Sequence, residues 1–235
     1  MLPGLQRKNL RAYDLVDDDV PNVHSPDQVD PALAYDARVS FPYSCWYVAL
    51  DLIFGLLGTV LLVLILPFMS LLIYLDSPGP IFYSQERLGF RGKLFRIYKF
   101  RSMQMDAESG RQATGATKCD LRLTRIGKVL RATHMDELPQ VFNILRRDMS
   151  LIGPRPEREV FATRIAEQNP VYRCRLAVKP GLTGWAQVKF GYGEGDQKEM
   201  KKLQFDLYYI QHRSCWLDVI IVLKTLVEVF RFHGR

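Results

Sequence analysis

An acidic pair, Asp136-Glu137, stands between two arginine-bearing segments. Arg131 lies just before the pair, and Gly153-Pro154-Arg155-Pro156-Glu157 follows it. Carboxylates set among guanidinium groups suit phosphate chemistry. A carboxylate can attack phosphorus and form an acyl-phosphate intermediate. A divalent ion such as magnesium would screen the repulsion between carboxylate and phosphate oxygens, and a second carboxylate can handle a proton. Arginine's planar donor fork matches phosphate oxygens, and the flanking prolines stiffen the loop that carries Arg155.

The pair also carries a helix-start signal. Thr133 with Asp136 three residues later resembles a capping box, and Pro139 is tolerated only in a first helical turn. A helix is therefore expected to start around Asp136 and run through Val141–Arg147. Both carboxylates would then sit at the positive end of a helix dipole, which favours the ionised form of Asp136. Backbone N–H groups there favour bound phosphate. The plainer reading is that Asp136 only caps this helix.

The 235-residue chain is long enough for one good-sized domain with appendages, and 48% of it is apolar. Its net charge of +7 suits nucleic acid, an anionic membrane surface or phosphorylated substrates, without choosing among them. The four cysteines are widely spaced, so free thiols are expected instead of a zinc site or a disulfide framework. No cleavable leader is visible. Residues 1–41 carry seven aspartates against four basic residues and are interrupted by four prolines. They read as a flexible acidic arm.

The next stretch, Leu52 to Leu75, contains no charge. As a helix its 24 residues would reach roughly 36 Å, enough for a hydrocarbon core of roughly 30 Å. Tyr43, Trp46, Tyr47 and Tyr74 flank it as interfacial rings do. Pro67 predicts a kink or break. Two topologies compete: a kinked spanning helix, favoured by the basic residues that follow, and a re-entrant hairpin.

Ile81–Gln85 and Leu94–Tyr98 read as strands of a β-hairpin turning over Gly89 and Gly92, with a mobile loop over Met105–Lys118. Leu121–Arg131 reads as a basic helix, either a solvated face or a strip facing phosphates or headgroups. Leu203–Arg213 and Trp216–Phe232 read as helices. The second is either packed in the core or lies on the membrane with Trp216 at headgroup level. The pattern is α+β and mostly helical. It divides into a tail (1–41), a membrane segment (42–76) and a catalytic domain (77–235).

Five ordered motifs resemble the bacterial sugar transferase family, the monotopic polyprenyl-phosphate phosphoglycosyl transferases. After the proline-interrupted apolar helix come Gln85-Glu86-Arg87-Leu88-Gly89 and Lys99-Phe100-Arg101-Ser102-Met103. Asp136-Glu137-Leu138-Pro139-Gln140, Gly153-Pro154-Arg155-Pro156 and Lys179 to Gln187 follow. The resemblance covers about Tyr43 to Phe232. It implies transfer of a phosphosugar from a UDP-sugar to a polyprenyl phosphate, usually undecaprenyl phosphate, with release of UMP. It further implies a covalent phosphosugar on Asp136, Glu137 as its partner, and Mg2+ with Asp136 as ligand. Phosphate or substrate contacts would come from Arg131 and Arg155, and from Lys99, Arg101, Arg87, Gln140 and Gln187 in the matched motifs.

The family's membrane helix is re-entrant at its proline, here Pro67, which would place both ends and the catalytic domain on the cytoplasmic face of the bacterial inner membrane. Interfacial helices against inner-membrane lipids, no nucleic acid partner, and an open question of a homodimer complete the expectation. This chain departs from the family in carrying Leu66 before Pro67, where serine is common. It also has Val188-Lys189-Phe190-Gly191-Tyr192-Gly193 after Gln187, so sugar specificity is not carried over. With a short acidic arm ahead of the membrane segment, the chain is expected to be close to a minimal catalytic form. Two other functions fit the residues alone: a non-catalytic anchor for anionic lipid, and a magnesium-dependent phosphohydrolase.

Overall fold

The computed structural model describes residues 41–105, 107, 120–190 and 196–230. Residues 1–40 of the acidic arm, most of the expected 105–118 loop, Cys119, residues 191–195 and residues 231–235, with the end of the expected Trp216–Phe232 helix, lie outside them. Cys45, Cys174 and Cys215 are free thiols.

The described residues open with one long helix, α1 (Phe41–Asp76). A hairpin of β1 (Phe82–Leu88) and β2 (Leu94–Phe100) follows, pairing Phe82 with Phe100 and Leu88 with Leu94. Its turn needs left-handed backbone at Arg91 and Gly92, which the glycine supplies at low cost. Next come α2 (Arg125–Ala132), a 3-10 turn (Met135–Gln140), α3 (Val141–Leu145) and β3 (Ser150–Ile152). The chain continues through α4 (Glu159–Gln168), a second 3-10 segment (Pro170–Ala177) and β4 (Gly181–Thr183), which pairs in parallel with β3. Three helices close it: α5 (Trp185–Phe190), α6 (Asp196–His212) and α7 (Cys215–Phe230). This is the mostly helical α+β architecture expected, with its short antiparallel hairpin.

A break at Pro67 does not occur, since α1 continues through it to Asp76. The proline removes one hydrogen bond, but packing on both sides holds the helix together. One stripe of α1 touches the rest of the molecule at steps of three or four residues along its whole length. The Tyr47 hydroxyl donates to Ile152 O, and Asp51 accepts from Ser150 Oγ and Leu151 N at 2.7 Å each. Gly55 and Gly58 let Leu145 and Val141 approach. Leu62, Leu66, Met69 and Ile73 join a core with Phe100, Leu130 and Val141, and Asp76 accepts from Ile126 N. The remaining faces are left outward, with Leu57, Val60, Leu64 and Phe68 all exposed.

At the first end of α1, the Tyr43 and Tyr209 hydroxyls are 3.5 Å apart, and Tyr209 donates to the fully buried Asp218. Tyr208 and Tyr209 are both core residues. Helix α7 packs in the core through Leu217 and Ile221, which are buried, while Trp216, Leu223, Leu226 and Val227 form an exposed apolar side.

Two expected helix starts are displaced. The capping box is absent because Thr133 ends α2, its hydroxyl donating back to Val129 O and Leu130 O. His134 then adopts left-handed backbone and the 3-10 turn begins. Proline at 139 lacks an N–H and would clash with the carbonyl four residues earlier, so α-helix starts only at Val141. Helix α2 likewise starts at Arg125 and not Leu121. Leu123 bridges Met103, Arg122 turns back to Asp120, and Thr124 caps the helix by accepting from Gly127 N.

Gly127 lies against the Ser102 carbonyl, where a Cβ would collide with backbone. Alanine there gains helix propensity worth about 1 kcal/mol, yet Gly127→Ala is expected to destabilise the fold by about 1–3 kcal/mol through that collision. Thermal unfolding in detergent measures it, with exposed Val129→Ala on the same helix as the control. An unchanged midpoint for Gly127→Ala would contradict the close approach.

Candidate active site

Four separate pieces of chain meet at the acidic pair. The 3-10 turn presents Asp136 and Glu137, both buried. Strand β2 brings Lys99, the Pro154–Pro156 loop brings Arg155, and α2 brings Arg131.

Lys99 Nζ donates to Glu137 Oε1 at 2.6 Å. Arg155 donates to the same oxygen at 2.5 Å and to Oε2 at 3.3 Å. Burial opposes the charge on Glu137, but Arg155 and Lys99 outweigh it and hold the carboxyl well below the usual range. A carboxylate with two cations on it is a poor proton acceptor, and in this arrangement Glu137 holds Lys99 and Arg155 in place.

Asp136 has the opposite environment. Among the described residues no hydrogen bond or ion pair holds its carboxylate. Burial pushes it up to about 6; Lys99, Arg131 and Arg155 pull it down while Glu137 adds to the rise. The expected depression by a helix start is not found. The 3-10 turn makes no side-chain cap at Asp136, and desolvation outweighs the local dipole. Asp136 is thus neither a cap nor an ion-pair partner. It is a buried carboxyl with open coordination next to two clamped cations.

The other sequence candidates are placed as follows. Arg131 Nε donates to Ser102 Oγ at 3.0 Å, and its charge acts on Asp136. Gln140 is buried with its Nε2 unpartnered. Arg87 bonds Gln85 at 2.7 Å and Pro156 O at 3.5 Å, and pairs with Glu157 at 3.7 Å, which puts it behind the arginine loop. Arg101 donates to the carbonyls of Ser77 and Pro78 and locks the turn after α1. Gln187 Nε2 donates to Leu182 O within the β4–α5 turn. Arg101 and Gln187 therefore hold turns together, and none of these bonds links either of them to the acidic pair.

One residue that sequence reading did not find, Asn143, and three glycines of the matched motifs hold the site in place. Asn143, fully buried, accepts from Tyr98 N and donates to Arg96 O, so it covers the open edge of β2 on both sides of Ile97 and sets Lys99 over the 3-10 turn. Gly153, Gly181 and Gly184 pack backbone against backbone, seating the Gly-Pro-Arg-Pro loop on β4. Asn143 sits in an ordinary apolar helix, and its partners are over forty residues away. No local signal marks it.

No group of three or more His, Cys, Asp or Glu that could hold a metal occurs among the described residues. Asp136 is the one site carboxylate free to ligate a cation. A magnesium ion commonly takes one or two protein carboxylates and completes its shell with substrate phosphate and water, so the donor set fits such an ion.

The chain resembles several curated proteins. It is 47% identical to a UDP-N-acetylgalactosamine-undecaprenyl-phosphate N-acetylgalactosaminephosphotransferase of Aeromonas hydrophila over 165 residues, 70% of this chain and 39% of that protein. It is 41% identical to a UDP-glucose:undecaprenyl-phosphate glucose-1-phosphate transferase of Escherichia coli, covering 74% of this chain and 38% of that one. The chain thus spans somewhat over a third of these relatives' length. With the exopolysaccharide production protein PSS of Rhizobium leguminosarum bv. phaseoli, identity is 39% over 79% of this chain and 96% of the relative. The bacterial sugar transferase profile matches residues 43–232, a span holding all the motifs and the outward-facing apolar helix, and the chain belongs to that family.

Proposed function

We propose that this chain is a phosphoglycosyl transferase that moves a sugar 1-phosphate from a UDP-sugar to a polyprenyl phosphate, undecaprenyl phosphate being the acceptor named in its relatives. The observation that carries the reading is the contrast within the acidic pair: Glu137 clamped by Lys99 and Arg155, Asp136 buried beside them without a partner.

In this mechanism an Asp136 carboxylate oxygen attacks the phosphorus bonded to the sugar. The bond from that phosphorus to the bridging oxygen breaks, and UMP leaves with the electron pair. The phosphosugar is then an acyl phosphate on Asp136. An oxygen of the polyprenyl phosphate attacks the same phosphorus, the acyl–phosphate bond breaks, and Asp136 is restored as a carboxylate. Lys99 and Arg155, anchored by Glu137, face developing negative charge without having to reorganise. Arg131 adds a third positive charge from α2. Asp136 is the residue that would hold Mg2+, which would screen carboxylate from phosphate when bound.

The acceptor's tail stays in the bilayer, so the site must lie at its surface. Helix α1 supports that arrangement, because it is apolar outward and bound to one body along its whole length. A helix whose two ends are held by the same domain keeps both ends on that domain's side, and a bend of the continuous helix around Pro67 would let its middle dip into the bilayer and come back. We therefore read it as re-entrant, with residues 42–76 as the membrane element and residues 77–235 on the cytoplasmic face. The exposed apolar side of α7 reads as an interfacial contact. The reaction would open the membrane stage of a glycoconjugate such as an exopolysaccharide.

With magnesium, undecaprenyl phosphate and a panel of UDP-sugars, the protein is expected to release UMP catalytically only when lipid is present, and without lipid to release no more than the single equivalent that leaves as Asp136 is loaded. Asp136→Asn should lower that release about 10³-fold or more, and Lys99→Met about 10²-fold. Lipid-independent release beyond one equivalent per enzyme, or full activity of Asp136→Asn, would sink the reading.

The attack needs Asp136 ionised, and burial has raised it. Activity is therefore fully present above its pKa and lost as pH falls through it. At limiting magnesium, where Asp136 carries no cation, the acid limb of kcat/KM is expected near pH 6, not near the ordinary aspartate value of about 4.

Topology is read by a cysteine at Ala34 in a cysteine-free background: an impermeant maleimide should label it only in opened cells. Labelling in intact cells would exclude the re-entrant arrangement.

A further inference from the structure

The loop that delivers Arg155 to Glu137 is held in an unusual way. Its two prolines have no N–H to give, so it is fixed through its oxygens. Four consecutive carbonyls each accept a bond from a different residue. Pro154 O accepts from Gly181 N at 2.9 Å, and Arg155 O from an Arg175 guanidinium nitrogen at 3.0 Å. Pro156 O accepts from Arg87 at 3.5 Å, and Glu157 O from Leu88 N at 2.9 Å.

The bond to Arg155 itself comes from a side chain that is locked in turn. Arg175 Nε donates to Asp206 Oδ2 at 2.8 Å, and its third nitrogen bonds the Tyr172 hydroxyl. Asp206 and Tyr172 are buried in α6 and the second 3-10 segment, so neither end of the brace is free to move. A cavity of about 100 Å³ touches Pro154, Arg155, Pro156, Tyr172 and Arg175. The loop is therefore not seated on close-packed side chains at that point, and its position depends on these bonds.

We infer that Arg175, braced by Asp206 and Tyr172, is a positioning residue for the phosphate-transfer site: it sets the Arg155 carbonyl and thereby the guanidinium that clamps Glu137. The inference deepens the proposed transferase reading and depends on it for its catalytic half. The connection runs without a gap from α6 to the acidic pair, through Asp206, Arg175, the Arg155 main chain, the Arg155 side chain and Glu137. Only a planar, three-nitrogen head can hold Asp206, Tyr172 and a carbonyl at once. Lysine keeps the charge beside Asp206 but cannot make all three contacts.

The test is Arg175→Lys in the full chain, with Tyr172→Phe as the milder variant if the first does not fold. Two readouts are taken. Amide exchange at Leu88 and Gly181, the two main-chain donors flanking the Arg155 carbonyl, should speed up at least about tenfold, while Ile97 inside the hairpin stays as in the unmodified chain. Lipid-dependent UMP release should fall at least about tenfold, yet in an Arg155→Lys background the same change should add less than about twofold, because residues acting through one group are not additive. Faster exchange everywhere, or none at Leu88 and Gly181, would overturn the brace. Additive losses of activity would overturn its action through Arg155. If the unmodified chain releases no UMP, the transferase reading fails by itself, and the exchange pattern still decides whether the brace exists.

Discussion

A carboxylate buried as Glu137 is can stay ionised only with its charge matched on the spot. Leaving such a group unpaired would cost several kcal/mol. Here the match comes from Lys99, 38 residues before it, and Arg155, 18 after it. The hairpin must therefore lie over the 3-10 turn, and the proline loop must come back to it. Asn143 on the edge of β2 and the glycines under the loop meet those two demands. The neighbouring Asp136 receives no such compensation. Neighbouring positions on one turn thus hold one stabilised and one destabilised carboxylate, a separation that suits a nucleophile beside an electrostatic anchor.

The same body supports the membrane element. Asp51 sits at the edge of the apolar stretch, yet it is buried and bound to the start of β3. Further along, Gly55 and Gly58 bring α1 close to α3, the helix that follows the acidic turn. Helix and site therefore share structural members. A displacement of α1 would be felt at Val141 and Leu145, the two ends of the helix that begins directly after Gln140.

Much of this was legible in the residues. The apolar run, the hairpin with its glycine turn, and the two C-terminal helices follow from local rules of hydropathy, alternation and turn chemistry. So does the presence of the acid and arginine motifs, each recognisable by its own short pattern. The start of the helix after Asp136 was misplaced because Pro139 was read as a first-turn residue of an α-helix. It lies instead inside a 3-10 turn, and Thr133 belongs to the preceding helix. Pro67 does not end the helix, because the packing of Leu62, Leu66, Met69 and Ile73 around it offsets the one lost hydrogen bond.

The sequence by itself determined which groups are present, the length of the apolar helix, and the order of motifs that marks the family. Those are properties of neighbouring residues and need no fold. Only the tertiary structure decided what each charge does. Arg101 and Arg155 are both arginines in motifs of equal promise, yet one spends its donors on turn carbonyls and the other on Glu137. Asp136 and Glu137 are adjacent and chemically alike, yet burial without partners raises one and burial with two cations lowers the other. Desolvation and ion pairing depend on atoms brought from distant segments, and no spacing along the chain records them.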